Sequence, residues 1–302
     1  MNDASILAEL AEGTGIVLAS YGRGALVQAG DRTLHCGLVG RKLRLVCGDR
    51  VHWRHLPAAD GPSVESVDPR RNVIERIDAR GRAEAVAANV DRLAIVVAPV
   101  PAPDWFLIDR YWAGARLLDI ETMLIVNKQD LGLESIEPEL AIYRALNLPC
   151  HAISCRDEPD VEALRGALHG AATLLVGQSG VGKSSIVNAL APEAAAQTAA
   201  LTRDAEGRHT TTTARRYALG ADTAVIDAPG VRDFAAPAHF VRAAERGFLE
   251  IHAASVHCRF NDCRHFEEPG CSVRAEVAAH RISARRYESY RRLARLYEGL
   301  AR

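Results

Sequence analysis

The chain has 302 residues, 48% of them hydrophobic and 25% charged, with a formal net charge of −1. That leaves room for two or three domains with a sizeable core and matches an ordinary soluble composition. The longest apolar candidate, Leu93 to Val100, is too short to cross a membrane, and Met1 to Leu10 carries two acids and no Lys or Arg, unlike a secretory signal. A cytoplasmic protein with no membrane partner is expected.

From about Gly13 to Ile77 the chain shows short β-rich runs, Gly15 to Ala19, Thr33 to Gly37 and Asp49 to Arg54. Gly-containing turns separate them, and Ala58 to Ser63 reads as a loop. This spacing predicts a small barrel of the oligonucleotide-binding type. Arg41, Lys42, Arg44, Arg50 and Arg54 crowd one stretch with only Asp49 opposing. Such a patch on a near-neutral chain suits a nucleic-acid surface; a solvated face is the plainer alternative.

From Asp91 strands and helices alternate. Leu93 to Val97, Thr122 to Val126, Cys150 to Ile153 and Thr173 to Val176 read as strands. Trp105 to Leu118, Glu137 to Leu146, Val161 to Leu168 and Lys183 to Leu190 read as helices. The pattern predicts a doubly wound parallel α/β sheet. Gly207 to Thr213 reads as a polar loop, and Tyr217 to Leu219 and Thr223 to Ile226 as two further strands, the second delivering Asp227. After Phe234 the pattern is helical, broken by cysteines, and resumes from Arg281 to Leu300. Ten arginines face six acids between Ile251 and Arg302. The expected division is 1–80, a barrel; 81–236, a nucleotide-binding α/β domain; and 237–302, a helical metal-binding module with a basic last helix.

Two guanine-nucleotide signatures occur in inverted order. Gly177-Gln178-Ser179-Gly180-Val181-Gly182-Lys183-Ser184, followed by Ser185, is a full phosphate-binding loop, with a strand leading in and a helix leading out. Its glycines let successive backbone N–H groups point at an anion; Lys183 is expected to reach the β- and γ-phosphates, and Ser184 to bind Mg²⁺. Asn127-Lys128-Gln129-Asp130 has the form of the box that selects guanine. The Asp130 carboxylate can accept from both N1–H and the exocyclic amine of guanine, a pairing that adenine lacks. Asn127 braces the site, the Lys128 stem can pack along the base, and Ser154-Cys155 stands where a GTPase offers backbone N–H groups to the guanine oxygen. Asp227 and Gly230 fit the switch that senses the γ-phosphate, Asp227 through a Mg²⁺-bound water. In an ordinary GTPase the phosphate loop comes first; here Asn127 precedes Gly177, so the fold must be circularly permuted.

Val231 follows Gly230 where Ras-like enzymes carry a water-orienting Gln. Intrinsic hydrolysis is therefore expected to be slow. His209 is the internal candidate to orient or deprotonate water, the alternative being a histidine of structural or partner-contact role. Only three lysines occur, Lys42, Lys128 and Lys183, and two of them stand inside the nucleotide motifs. A compact ammonium fits a tight phosphate cradle where a planar guanidinium does not.

Cys258, Cys263, His265 and Cys271 form C-x₄-C-x-H-x₅-C. Four soft ligands without a water-bearing carboxylate describe a closed tetrahedral Zn²⁺ site.

The chain closely resembles the circularly permuted GTPases of bacterial small-ribosomal-subunit biogenesis, the RsgA or YjeQ family. The resemblance runs through Gly48-Asp49-Arg50-Val51, Pro69-Arg70-Arg71-Asn72, Asn89-Val90-Asp91 and Asp109-Arg110-Tyr111. It continues through Asn127 to Asp130, Gly177 to Ser185, Gly207 to Thr212, Asp227 to Gly230 and the Cys258 to Cys271 segment. It implies a GTPase stimulated by the small subunit and assisting its late maturation, with GTP or GDP, the small subunit and its rRNA as partners, monomeric when free. It puts the family's proposed catalytic histidine at His209 and sets Thr211 and Thr212 among the nucleotide contacts. A GTP-controlled RNA-binding module with incidental hydrolysis is the rival reading, kept open by Val231; a phosphate-loop kinase or ATPase is disfavoured by Asp130.

Overall fold

The computed structural model describes residues 12–22, 24–39, 43–55, 61–77, 82–193, 214–229 and 244–300. Two compact units share the chain: Met1–Asp91 with Ala167–Leu175 and Ser184–Val231, and Arg92–Gly166 with Val176–Lys183 and Arg232–Arg302.

The first unit opens with a closed barrel of β1 (Glu12–Tyr21), β2 (Gly24–Ala29), β3 (Arg32–Leu38), β4 (Arg50–His55) and β5 (Pro62–Val67), in the order β1-β2-β3-β5-β4. β4 pairs back onto β1, and β3 with β5 is the one parallel pair among these strands. Alternating side chains point inward, and Val17, Val27, Leu34, Val51, Trp53 and Val64 fill the interior. The expected turn at Ala58 to Ser63 is corrected at its end: Pro62 and Ser63 belong to β5, whose first position needs no donor and so tolerates proline. Ala58 to Asp60 lie outside the described residues.

A ribbon of β6 (Val73–Ile77) and β7 (Ala83–Ala88) follows, antiparallel and unanticipated from the sequence. Side chains then clasp the barrel to the start of the α/β region. Arg70 donates twice to the fully buried carboxylate of Asp49, at 2.7 and 2.9 Å. Asn72 and Val90 exchange two hydrogen bonds, and the Asn89 amide donates to the Gly48 carbonyl at 3.0 Å. Gly48 has φ +87°, and a Cβ there would lie 2.2 Å from the Ala88 oxygen, so no other residue fits. Asp91 accepts from Arg71 on one oxygen and from the Ala172 N–H on the other. These contacts give physical meaning to three of the motifs quoted above.

The α/β region runs β8 (Arg92–Val97), α1 (Trp105–Leu117), β9 (Glu121–Asn127), α2 (Glu137–Ala145), β10 (Cys150–Ile153), α3 (Glu158–Leu168), β11 (Ala172–Val176), α4 (Lys183–Leu190), β12 (Arg215–Ala218) and β13 (Ala224–Asp227). Within the second unit the strand order is β10-β9-β8, and within the first it is β11-β13-β12. β10 with β9, β9 with β8 and β11 with β13 are parallel, whereas the edge strand β12 runs antiparallel to β13. The expected parallel sheet thus carries one antiparallel edge, made by a short return that periodicity alone does not reveal. Leu93 to Val97 are all buried, as an unbroken apolar strand requires. Asp104 caps α1, its carboxylate accepting from Leu107 N–H at 3.1 Å.

The second unit ends in α5 (Leu249–Ser255), α6 (Ser272–Ala278) and α7 (Ala284–Leu300). α7 begins three residues later than Arg281, because the Ser283 hydroxyl accepts from the Arg286 N–H and starts the helix there. Phe248, Ile251, Val273, Ile282, Leu293 and Tyr297 form its core, which reaches Ala113 and Leu117 of α1.

Candidate functional site

Each nucleotide motif begins where a strand ends. Asn127 closes β9, Ser154 follows β10, Gly177 follows β11 and Asp227 closes β13. In open α/β sheets this is where ligands bind, since the strands deliver loops at their carboxyl ends.

Within the second unit the structure joins the guanine box to the phosphate loop. The buried Asn127 side chain donates to the Val181 carbonyl at 2.9 Å. Lys128, in the left-handed region at φ +62°, donates to the Gly180 and Val100 carbonyls at 2.7 and 2.8 Å. Its ammonium therefore braces the loop, a role beyond packing along a base. Lys183 Nζ donates to the Gly177 and Gln178 carbonyls at 2.8 and 2.9 Å, so it already lies curled inside its own loop. Gly177 has φ +143°, and a Cβ on it would lie 2.4 Å from the Val96 oxygen. Gly180 and Gly182 also have positive φ, while Val181 anchors the loop, fully buried. Ser179 is exposed at the loop's tip.

Gln178 has a part that the motif does not announce. Its amide donates to the Ala102 carbonyl and its oxygen accepts the Asp104 N–H, both at 2.8 Å. The phosphate loop is thereby tied to the N-terminal end of α1.

Asp130 sits in a 3-10 turn, Gln129–Leu131, and faces Arg156 at 3.4 Å. Arg156 is 86% exposed, so a base can displace it at little cost. The Ser154 N–H is taken by the Asp160 carboxylate at 2.7 Å, and Gln129 donates to the same oxygen at 2.5 Å. Burial, and then the Asp130 charge, push the Cys155 thiol above its ordinary range. It stays protonated and donates to Asn127 Oδ1 at 3.4 Å. Asp160 has no part in the sequence reading, because a lone Asp in a helix's first turn is indistinguishable from a cap.

Ser184 and Ser185 open α4 on its exposed side, and Asp227 pairs in register with Leu175. These three residues belong to the first unit. His209, Thr211, Thr212 and Gly230 lie outside the described residues.

The cysteine cluster is assembled. The ligand atoms of Cys258, Cys263, His265 and Cys271 all lie within 4.8 Å of one another and can hold one metal ion. His265 Nδ1 is 3.5 Å from both Cys258 Sγ and Cys271 Sγ, and those sulfurs are 3.9 Å apart. A tetrahedral ion with bonds near 2.3 Å to sulfur and near 2.0 Å to nitrogen would set ligand atoms roughly 3.5–3.8 Å apart. The donor set fits. His265 Nε2 meets Glu245 at 2.9 Å, the second partner that fixes a metal-bound imidazole, and this hydrogen bond holds the Glu245 carboxyl below its usual range.

A buried polar clamp escaped sequence reading. Asp109 of α1 accepts from Arg286 and Arg285 of α7, both at 2.6 Å, and from the Tyr143 hydroxyl at 2.7 Å. Arg286 also pairs with Glu250 and lies 4.8 Å from the Trp112 ring. Burial opposes the charge on Arg286, yet Asp109 and Glu250 outweigh it and hold the guanidinium firmly protonated. In sequence this is an ordinary Arg-Arg on a basic helix, with no local signal of burial.

Comparisons with known proteins agree with this geometry. A family model described as RsgA GTPase matches residues 67–237. The small ribosomal subunit biogenesis GTPase RsgA of Azotobacter vinelandii is 41% identical over 293 residues, covering 93% of this chain and 85% of the relative. Its counterpart in Chromohalobacter salexigens is 42% identical over 292 residues with the same coverage. The crystal structure of YjeQ from Thermotoga maritima superposes with a TM-score of 0.75 at 27% identity, over 95% of this chain and 99% of that one. YloQ, described as a circularly permuted GTPase, superposes with a TM-score of 0.71 at 21% identity, over 95% and 96%, and supports the fold alone.

Proposed function

The chain belongs to the RsgA GTPase family, and from that premise we propose that it is a cytoplasmic GTP hydrolase that binds the small ribosomal subunit through its rRNA and assists late maturation, the subunit stimulating hydrolysis. The observation that carries the reading is the pair of hydrogen bonds from Asn127 to the Val181 carbonyl and from Lys128 to the Gly180 carbonyl, which supports taking guanine box and phosphate loop as one site.

The proposed roles follow from chemistry. Asp130 reads the base, Asn127 and Lys128 brace it, and Cys155 offers its N–H to the guanine oxygen. Gly177 to Gly182 wrap the phosphates with backbone N–H groups, and Lys183 leaves its carbonyls for the β- and γ-phosphates. Bound Mg²⁺ would neutralise phosphate charge; Ser184 is the residue that would hold it, and Asp227 would reach it through a bound water. Gly230, Thr211 and Thr212 are assigned to the γ-phosphate side and His209 to the attacking water. Cys258, Cys263, His265 and Cys271 would hold one structural Zn²⁺. Domains at 1–80, 81–236 and 237–302 and a free monomer complete the proposal.

GTP turnover titrated with purified small subunits is the test, with strong stimulation expected. A flat titration would favour the second reading, a GTP-controlled RNA-binding module, which Val231 supports by lacking a group to position water.

A further inference from the structure

We infer that Asp160 is a positioning residue for base recognition: its carboxylate staples the turn after β9 to the turn after β10 and so sets the guanine preference of the site. The inference rests on the proposed reading of these turns as the guanine pocket. Asp160 Oδ2 accepts the Ser154 backbone N–H at 2.7 Å and the Gln129 side-chain amide at 2.5 Å. Gln129 stands between Lys128 and Asp130, and Ser154 immediately precedes Cys155. The parallel pairing of β9 and β10 ends at Asn127 opposite Ile153. Beyond it, side chains must keep the two turns in register.

Three such links cross the gap, and their geometry ranks them. Cys155 to Asn127 and Arg156 to Asp130 are both long, at 3.4 Å, and Arg156 is exposed. Asp160 supplies two short hydrogen bonds to an ionised acceptor, the stronger class. It also consumes the Ser154 N–H, so the next amide, that of Cys155, is the one left for a base oxygen.

Guanine presents N1–H and an amine to Asp130, and an oxygen to the opposite turn. Adenine presents a donor where guanine has that oxygen. Discrimination therefore depends on the spacing between Asp130 and Cys155, whereas the phosphate loop grips any nucleoside diphosphate alike. Asp160 fixes that spacing without touching the base.

The experiment compares GDP and ADP affinities of the full chain in wild type, Asp160→Ala, Asp160→Asn and Gln129→Ala. Asp160→Ala should lower the GDP:ADP preference by about tenfold or more, the loss expected when a hydrogen bond to a charged group goes. Its ADP affinity should not change. Asp160→Asn keeps one oxygen able to accept both hydrogen bonds and should retain most of the preference. Gln129→Ala, which removes half of the staple from an exposed turn, should fall between. An unchanged ratio in Asp160→Ala, an equal loss for both nucleotides, or an Asp160→Asn as impaired as the alanine would each overturn the inference. A wild type without GDP preference would instead remove the guanine-pocket reading itself.

Discussion

The Asn127 side-chain amide donates to the carbonyl of Val181, so two motifs separated by 54 residues of chain move as one body. Asn127→Ala removes that bond and strips the Cys155 thiol of its acceptor. GDP affinity should drop by about 1–3 kcal/mol, the cost of leaving a buried polar group unpaired. Titration with a fluorescent GDP analogue reads the change, and undiminished affinity would show that the brace is dispensable.

Lys183→Ala and Ser184→Ala should each reduce GTP turnover by about a hundredfold or more, since each removes charge stabilisation from the transferring phosphoryl group. Both residues begin α4 on a loop rather than in the core, so the thermal midpoint should hold. Turnover at the wild-type rate in either variant would move the site elsewhere.

Asp130→Asn replaces one of two acceptor oxygens with a donor that opposes guanine's amine. GTP affinity should fall by roughly 2–3 kcal/mol while ATP affinity stays level. Equal losses for the two nucleotides would mean that Asp130 supports structure and does not read the base.

One zinc atom per chain should copurify, and Cys258→Ser should lower metal content and loosen α5 to α7. Metal analysis of reduced, unchelated protein is the direct measurement. Absence of metal there, or a Cys258→Ser chain with full zinc and unchanged hydrogen exchange in α7, contradicts the assignment.

His209→Ala should abolish most of the stimulation given by small subunits and leave GDP affinity intact. Full stimulation in the variant would assign the water-positioning group to another residue or to the ribosome.

Much of the site was legible because phosphate loops and guanine boxes are contiguous: a few adjacent residues dictate the backbone that binds the anion, and no distant partner is needed to recognise them. The barrel was legible only in part. Gly15 to Ala19, Thr33 to Gly37 and Asp49 to Arg54 all lie in or against strands, but β2 and β5 went unread. β5 starts with Pro62-Ser63 directly after Gly61, a run that carries turn chemistry until its partners β3 and β4 are known. Ala83 to Ala88 has a helix-forming composition and becomes a strand by pairing with β6. Asp160, Gln178 and Arg286 share one reason for concealment: each acts on a residue far along the chain, and local pattern carries no trace of it.

The Asp109 clamp bears on how this protein can be dissected. Arg286 and Asp109 are each 1% exposed, so α7 fills the interior beside α1 and is not an appendage. A chain shortened before Ala284 would strand the Asp109 carboxylate and the Tyr143 hydroxyl without their cations, at a cost of about 3–5 kcal/mol when one partner of a buried pair is lost. Deletion series meant to map ribosome contacts would then report a weakened nucleotide fold, and lost binding would be mistaken for a lost docking surface. Point changes at exposed α7 positions such as Arg295, whose guanidinium lies over Phe266, leave the α1–α7 clamp in place and are the sounder way to separate architecture from recognition.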